Sequence, residues 1–135
     1  MMAALEAARD ALAAVPGLAE IAGKRSCAIG LEDGISPAQY PLIRIVPVRI
    51  VPGRPYNQRT AEVLIYFGAQ IAPSQGMETV LAGLFEMEKA IVDIAKGQGW
   101  RYVETIAETT PFEAPKAYKI MGIRVELQAA TTAPA

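Results

Sequence analysis

The chain has no histidine and a single cysteine, Cys27, among its 135 residues. Acid–base, metal and nucleophilic sites lean on these two side chains, because they change charge or bind metal near neutral pH. Their scarcity points away from an enzyme and toward a protein that acts through its surfaces. No catalytic residue, cofactor site or metal site is expected, since a structural zinc alone requires four such ligands. Cys27 cannot close an internal disulfide. It lies in the apolar stretch Cys27-Ala28-Ile29 and reads as a small buried hydrophobe, not a reactive thiol, in a chain suited to a reducing cytoplasm.

An excess of one charge is also missing. Thirteen Lys and Arg stand against fourteen Asp and Glu, a net charge of −1, which argues against a sequence-independent grip on nucleic acid. No apolar run approaches the roughly 18–20 residues of a membrane helix. The Ala-rich residues 1–15 are interrupted by Glu6, Arg9 and Asp10 with no basic segment before them, so they do not read as a signal peptide. What the chain does have is apolar character, 52% hydrophobic against 20% charged residues. One domain over residues 1–128 is expected, large enough to bury a core without disulfides or metal. The Ala/Thr/Pro tail, residues 129–135, has little to bury and is expected to be disordered.

Leu5, Ala8, Leu12 and Val15 recur at helical spacing, and Pro16-Gly17 stops that helix. Residues 18–23 read as a further turn. Residues 25–31 read as a first strand, closed by the turn Glu32-Asp33-Gly34. Residues 42–51 are rich in β-branched side chains, with Pro47 requiring an edge or a bulge. After a loop over residues 52–60, the strand 61–71 puts Val63, Ile65, Phe67, Ala69 and Ile71 on one face, with Leu64 and Tyr66 on the other. Ser74 is the expected N-cap of a helix over residues 74–97. Its apolar stripe is Met77, Val80, Leu81, Leu84, Phe85, Ile91, Ile94 and Ala95, broken by Glu88. Burying its large members would contribute about 1.5–3 kcal/mol each before entropy. Residues 100–108 and 117–128 read as closing strands, the second with Met121, Ile123, Val125 and Leu127 inward. The expected fold is α+β: a mixed, mostly antiparallel sheet of four to five strands, with an N-terminal helix and one long helix packed on it.

The residues that carry chemistry are few. Glu86 and Asp93 share a helix face, but paired-carboxylate catalysis needs a concave, partly desolvated setting, and a solvated face accounts for them better. Glu88 either marks the edge of the apolar stripe or pairs across a subunit contact. Glu32-Asp33-Gly34 falls short of the six or more oxygens of a calcium site. The loop after residue 51 holds Arg54, Tyr56, Asn57 and Arg59, a composition favoured at protein contacts. With Arg44 and Arg49 on the preceding strand it makes the one notable positive run. An ordinary solvated loop, a protein contact and, least of all, a phosphate contact all fit it. Glu88, Glu104 and Glu126 are acidic positions able to oppose these arginines.

The layout resembles the phage tail terminators, the tail-completion proteins of long-tailed phages. It is carried by the N-terminal helix, the strand pair 42–51 and 61–71, the helix 76–96, and the closing segments Thr105-Ile-Ala-Glu-Thr-Thr-Pro-Phe-Glu and Ala117-Tyr-Lys-Ile-Met-Gly-Ile-Arg-Val-Glu-Leu. The resemblance implies a virion protein at the tail–head junction, made in the host cytoplasm and lacking catalytic residues. It implies a six-membered ring of this chain that caps the tail tube, with the tail tube protein and a head-completion or connector protein as partners. Nucleic acid would at most pass through the ring, and no membrane is involved. Another head–tail joining or tail-tube subunit is the near alternative. A small ferredoxin-like enzyme or ligand-binding protein, with Trp100, Tyr102 and Tyr118 lining a pocket, is the distant one.

Overall fold

The alternation of apolar and polar residues along two long strands determines the architecture. The computed structural model describes all residues except 33–34, 53–57, 72, 73, 75, 110–117 and 131–135. In chain order its elements are α1 (Met2–Leu12), β1 (Glu20–Ile21), β2 (Lys24–Arg25), β3 (Cys27–Ile29), a 3-10 turn (Pro37–Gln39), β4 (Leu42–Pro52), β5 (Gln58–Gln70), α2 (Met77–Gly97), β6 (Arg101–Ile106) and β7 (Tyr118–Ala130). Five strands form one sheet in the order β3-β4-β5-β7-β6. β3 runs parallel to β4, and the remaining pairs are antiparallel. The fold is α+β, as the sequence pattern leads one to expect. β5 and β6 are both antiparallel to β7, so α2 carries the chain between two parallel strands and β7 returns to fill the gap.

Register puts the apolar side chains of the long strands on one face. Val63, Ile65 and Phe67 of β5 are buried beside Met121, Ile123, Val125 and Leu127 of β7 and Ile43 and Ile45 of β4. Both helices lie on that face. α1 contributes Leu5, Ala8 and Leu12, and α2 contributes Val80, Leu84, Met87, Ile91 and Ala95, all to one continuous core. A Schellman cap stops α2: the amide of Gly99 (φ 77°) donates to the Lys96 carbonyl at 3.2 Å, and that of Trp100 to Ala95 at 2.9 Å. The cap swings Trp100 onto the core and starts β6.

Several expected boundaries shift, each for a local reason. Residues 18–23 are not a helical turn. Ala22 (φ 52°) and Gly23 (φ 79°) form a two-residue turn of the I′ kind, which joins β1 to β2 as a small ribbon. Helix α2 begins at Met77 with Gly76 as N-cap, and Ser74 precedes it in a turn. Its stripe centres on Met87, leaving Met77 and Phe85 about half exposed. The β4–β5 hairpin runs past its expected ends, with Pro52 opposite Arg59. β7 likewise continues to Ala130, so residues 129 and 130, assigned from sequence to a disordered tail, pair with Arg59 and Gln58.

Among the described residues, the opposite sheet face is closed at one end only. There Leu42, Gly68 and Ile120 lie in one row across β4, β5 and β7. Tyr40 lies over that row and stacks on Tyr118, ring centroids 4.2 Å apart. Gly68 makes room for it. A Cβ there would stand 3.2 Å from the Tyr40 ring, 3.2 Å from the Lys119 carbonyl oxygen and 3.1 Å from the Ile120 side chain. Gly68→Ala is therefore expected to destabilise the fold by about 1–3 kcal/mol through overpacking, measured by denaturant unfolding; unchanged stability would mean the aromatic lid is loosely held.

Candidate functional site

The other half of that second face is open and carries charge. Arg49 of β4 faces Glu62 of β5, with a nitrogen–oxygen separation of 3.3 Å. Arg124 of β7 donates to the same Glu62 from the other side. Arg124 in turn lies 3.4 Å from Glu104 of β6. The result is a row across four adjacent strands with alternating sign, Arg49–Glu62–Arg124–Glu104. A second pair, Arg101–Glu126 at 2.9 Å, extends it on β6 and β7. Because Glu62 and Glu126 are direct cross-strand neighbours, the arginines offset a repulsion the register would otherwise impose.

The members of the row differ in weight. Glu62 is 17% exposed and Arg124 33%, whereas Arg49 is 70% and Glu104 54% exposed. Solvent-exposed ion pairs contribute about 0–1 kcal/mol, so the row's centre is structural and its two ends are held weakly. Arg124 Nε is shielded from water yet donates to no oxygen of a described residue at hydrogen-bonding geometry. The Glu104 end is thus incompletely closed.

Both ends of the row lie on sheet edges. β3 covers β4 only along Ile43–Ile45, so from Val46 onward β4 has no outer neighbour among the described residues. A register shift between Pro47 and Arg49 marks where this free stretch begins; Pro47 thus occupies a bulge at the start of an edge, as its missing amide requires. The opposite edge is β6, which also carries a register shift, between Tyr102 and Glu104. Val48, Ile50 and Val51 on one edge and Tyr102 and Val103 on the other are all exposed. Apolar side chains on an unpaired edge are the combination that soluble proteins ordinarily avoid.

The contact residues read from sequence fall into different settings. Arg49, Glu104 and Glu126 belong to the row. Arg44 is a correction: expected on the surface beside Arg49, it is buried, 2% exposed. Its Nε donates to Glu32 at 2.8 Å, and Nη1 donates to the carbonyls of Ile43 and Ser26 at 3.0 and 3.3 Å. Arg44 stands in a strand flanked on both sides, so its polar group turns inward to partners carried by the segment that covers it. Arg59 is the second residue of β5, partly exposed, opposite Pro52 and Ala129. Arg54, Tyr56 and Asn57 lie outside the described residues. With Arg44 inside and Arg49 paired with Glu62, these two described arginines of the expected positive run do not form a patch. Glu88 is half-buried beside the α2 stripe and makes no ion pair with a described residue. The row across the sheet was missed, because partners on four strands are set by register, which local spacing does not encode.

Among the described residues, several grooves border the helices, two of them with mainly apolar lining along α2. One of about 480 Å³ lies between Met87 and Ala90 of α2 and Pro16, Pro41 and Ala69, with Glu86, Lys89 and Asp93 at its rim. The other, also about 480 Å³, is formed by Met77, Leu81 and Phe85 with Tyr118 and Met121. Trp100, Tyr102 and Tyr118 do not share a pocket. Tyr102 pairs with Val125 and Tyr118 lies seven residues earlier on β7, about 23 Å away along the strand. Among the described residues, no three of Cys, Asp and Glu converge as metal ligands.

Cys27 is half-buried against α1, its thiol donating to the Arg9 carbonyl at 3.5 Å. Burial pushes its pKa from 9.0 up to about 11, against the opposing fields of Arg44 and Arg9. The folded chain therefore holds this proton to higher pH than the unfolded chain does, so the contribution to stability is intact below pH 9 and lost as pH rises toward 11. Alkylation of native protein at pH 8 is expected to be slow and to become fast only in denaturant. Cys27→Ala should lose stability less steeply over that alkaline window; rapid native alkylation would contradict the burial.

No protein-family model matches the chain, and no curated protein is similar to it in sequence.

Proposed function

We propose that this chain is a structural ring subunit, a tail terminator that caps a phage tail tube and joins it to the head connector. The observation that carries the reading is the pair of unlike edges on opposite sides of one sheet, both without an outer strand among the described residues. A ring requires a heterologous contact, in which one patch of each subunit meets a different patch of the next. The half-edge of β4 and the full edge of β6 are two such patches, both with exposed apolar side chains. The resemblance in the order of elements supplies the rest: the tube, the connector and the count of six. The near alternative, another head–tail joining or tail-tube subunit, uses the same edges and differs only in its partners.

The groove beside Met87 favours a second reading, a small ligand-binding protein. Its lining is mainly apolar, and its polar groups stand at the rim, the arrangement of a modest binding site. The two readings separate by assembly: the ligand-binding protein needs no second copy.

A template supplies contacts that a free subunit lacks, so the ring is expected to form most completely on a tube. In a phage lacking this gene, tails should be of uncontrolled length or fail to join heads. Supplying the protein should restore both, and electron microscopy should show it at tube ends. Normal tails joined to filled heads in its absence would exclude the tail-terminator reading.

A further inference from the structure

We infer that copies of this chain join by continuing the sheet, the β6 edge of one copy pairing antiparallel with residues 46–52 of the next, in the register that sets Glu104 against Arg49. The inference rests on the self-assembly part of the proposed function, and not on the tail tube.

Strand direction allows the join. β4, β5, β7 and β6 alternate in direction across the sheet, so a further β4 laid outside β6 in the same orientation continues the alternation. It also keeps the helices of both copies on one side. No flip is needed, and the contact is head-to-tail.

Three observations select the register. Within one copy, Arg101 aligns through Glu126 and Glu62 with Arg49. A join without shear would therefore set Arg101 against the next copy's Arg49, with like charges directly opposed. Sliding the next copy along the strand until its Arg49 meets Glu104 reverses that. The charge row then runs on without a break, Arg49–Glu62–Arg124–Glu104 and again Arg49–Glu62, strands spaced about 4.8 Å apart. Second, the slide preserves face parity. Glu104 pairs with Arg124 and Arg49 with Glu62 on the open face, while Tyr102, opposite Val125, and Ile50, opposite Ala61, fall toward the helix side, so exposed apolar side chains of the two edges meet. Third, β3 forms a stop. It occupies the β4 edge along Ile43–Ile45, and only a sheared join carries it past the end of β6 at Ile106, letting all six residues of β6 pair. A regular shear of this kind also gives the strand tilt that a closed sheet needs.

The test is a charge swap with a register readout. Wild-type protein is expected to self-associate at high concentration in sedimentation. Arg49→Glu and Glu104→Arg should each weaken association about tenfold or more, since an attraction becomes a repulsion at every join. Mixing the two variants should restore association, because each supplies the edge the other has lost. Thermal unfolding of each variant checks that the fold is retained. The register is read by oxidation in a Cys27→Ala background: Arg49→Cys mixed with Glu104→Cys should cross-link, because directly paired strands bring Cα atoms within disulfide range, and Arg49→Cys mixed with Arg101→Cys should not. A chain that stays monomeric at its solubility limit, reversals without effect, or cross-linking through Arg101 would each overturn the inference. Self-association as described without binding to tube ends would instead remove the tail reading and leave the join standing.

Discussion

The pairing of β5 with β7 is the constraint on which the rest depends. Over thirteen residues, from Gln58↔Ala130 to Gln70↔Tyr118, register fixes which way every side chain in the middle of the sheet points. Val63, Ile65, Phe67, Met121, Ile123 and Val125 must lie on one side, where α1 and α2 bury them. A slip of one residue would carry the whole set into water. The polar residues between them are thereby committed to the other face. Glu62, Arg124 and Glu126 stand together because the core has chosen for them, and Arg49, Arg101 and Glu104 on the outer strands complete a locally neutral surface.

The two ends of that second face are finished differently. At one end Gly68 admits the Tyr40 ring, and the Tyr40–Tyr118 stack closes the surface. Arg44, nearby, satisfies its guanidinium on Glu32 and two carbonyls and becomes an interior post. At the other end nothing among the described residues covers the sheet. The contrast matters for function, since closed and buried charge supports the fold, whereas an open row ending on two free edges is available to a neighbour. Placing Arg44 inside and Arg49 at an edge, only five residues apart, separates these roles.

Much of this was legible before the structure. Period-two patterning identified the buried faces of β5 and β7, and Pro47 announced the bulge that begins the free edge. The long helix was legible too, although its buried stripe takes in Met87, which the expected stripe omitted, and leaves Met77 and Phe85 about half exposed. What was not legible depends on long-range register. An arginine in a strand reads as surface, so Arg44 was assigned to the positive run. Its inward turn follows from β3 pairing outside β4, a contact between residues 27–29 and 43–45. The charge row joins positions 49, 62, 104 and 124, whose relation no local window contains. The small ribbon at Ala22-Gly23 was missed for the opposite reason, since two residues of turn decide it.

The central claim is that copies of the chain meet through sheet edges. Amide hydrogen exchange, compared between dilute and assembled protein, tests it most directly, because pairing a free edge protects backbone amides that were open to water. The account predicts new protection in β6 and in residues 48–51, with the amides of β5 and β7 unchanged. New protection on α2 beside Met77 and Phe85, with the β6 amides still exchanging freely, would contradict it.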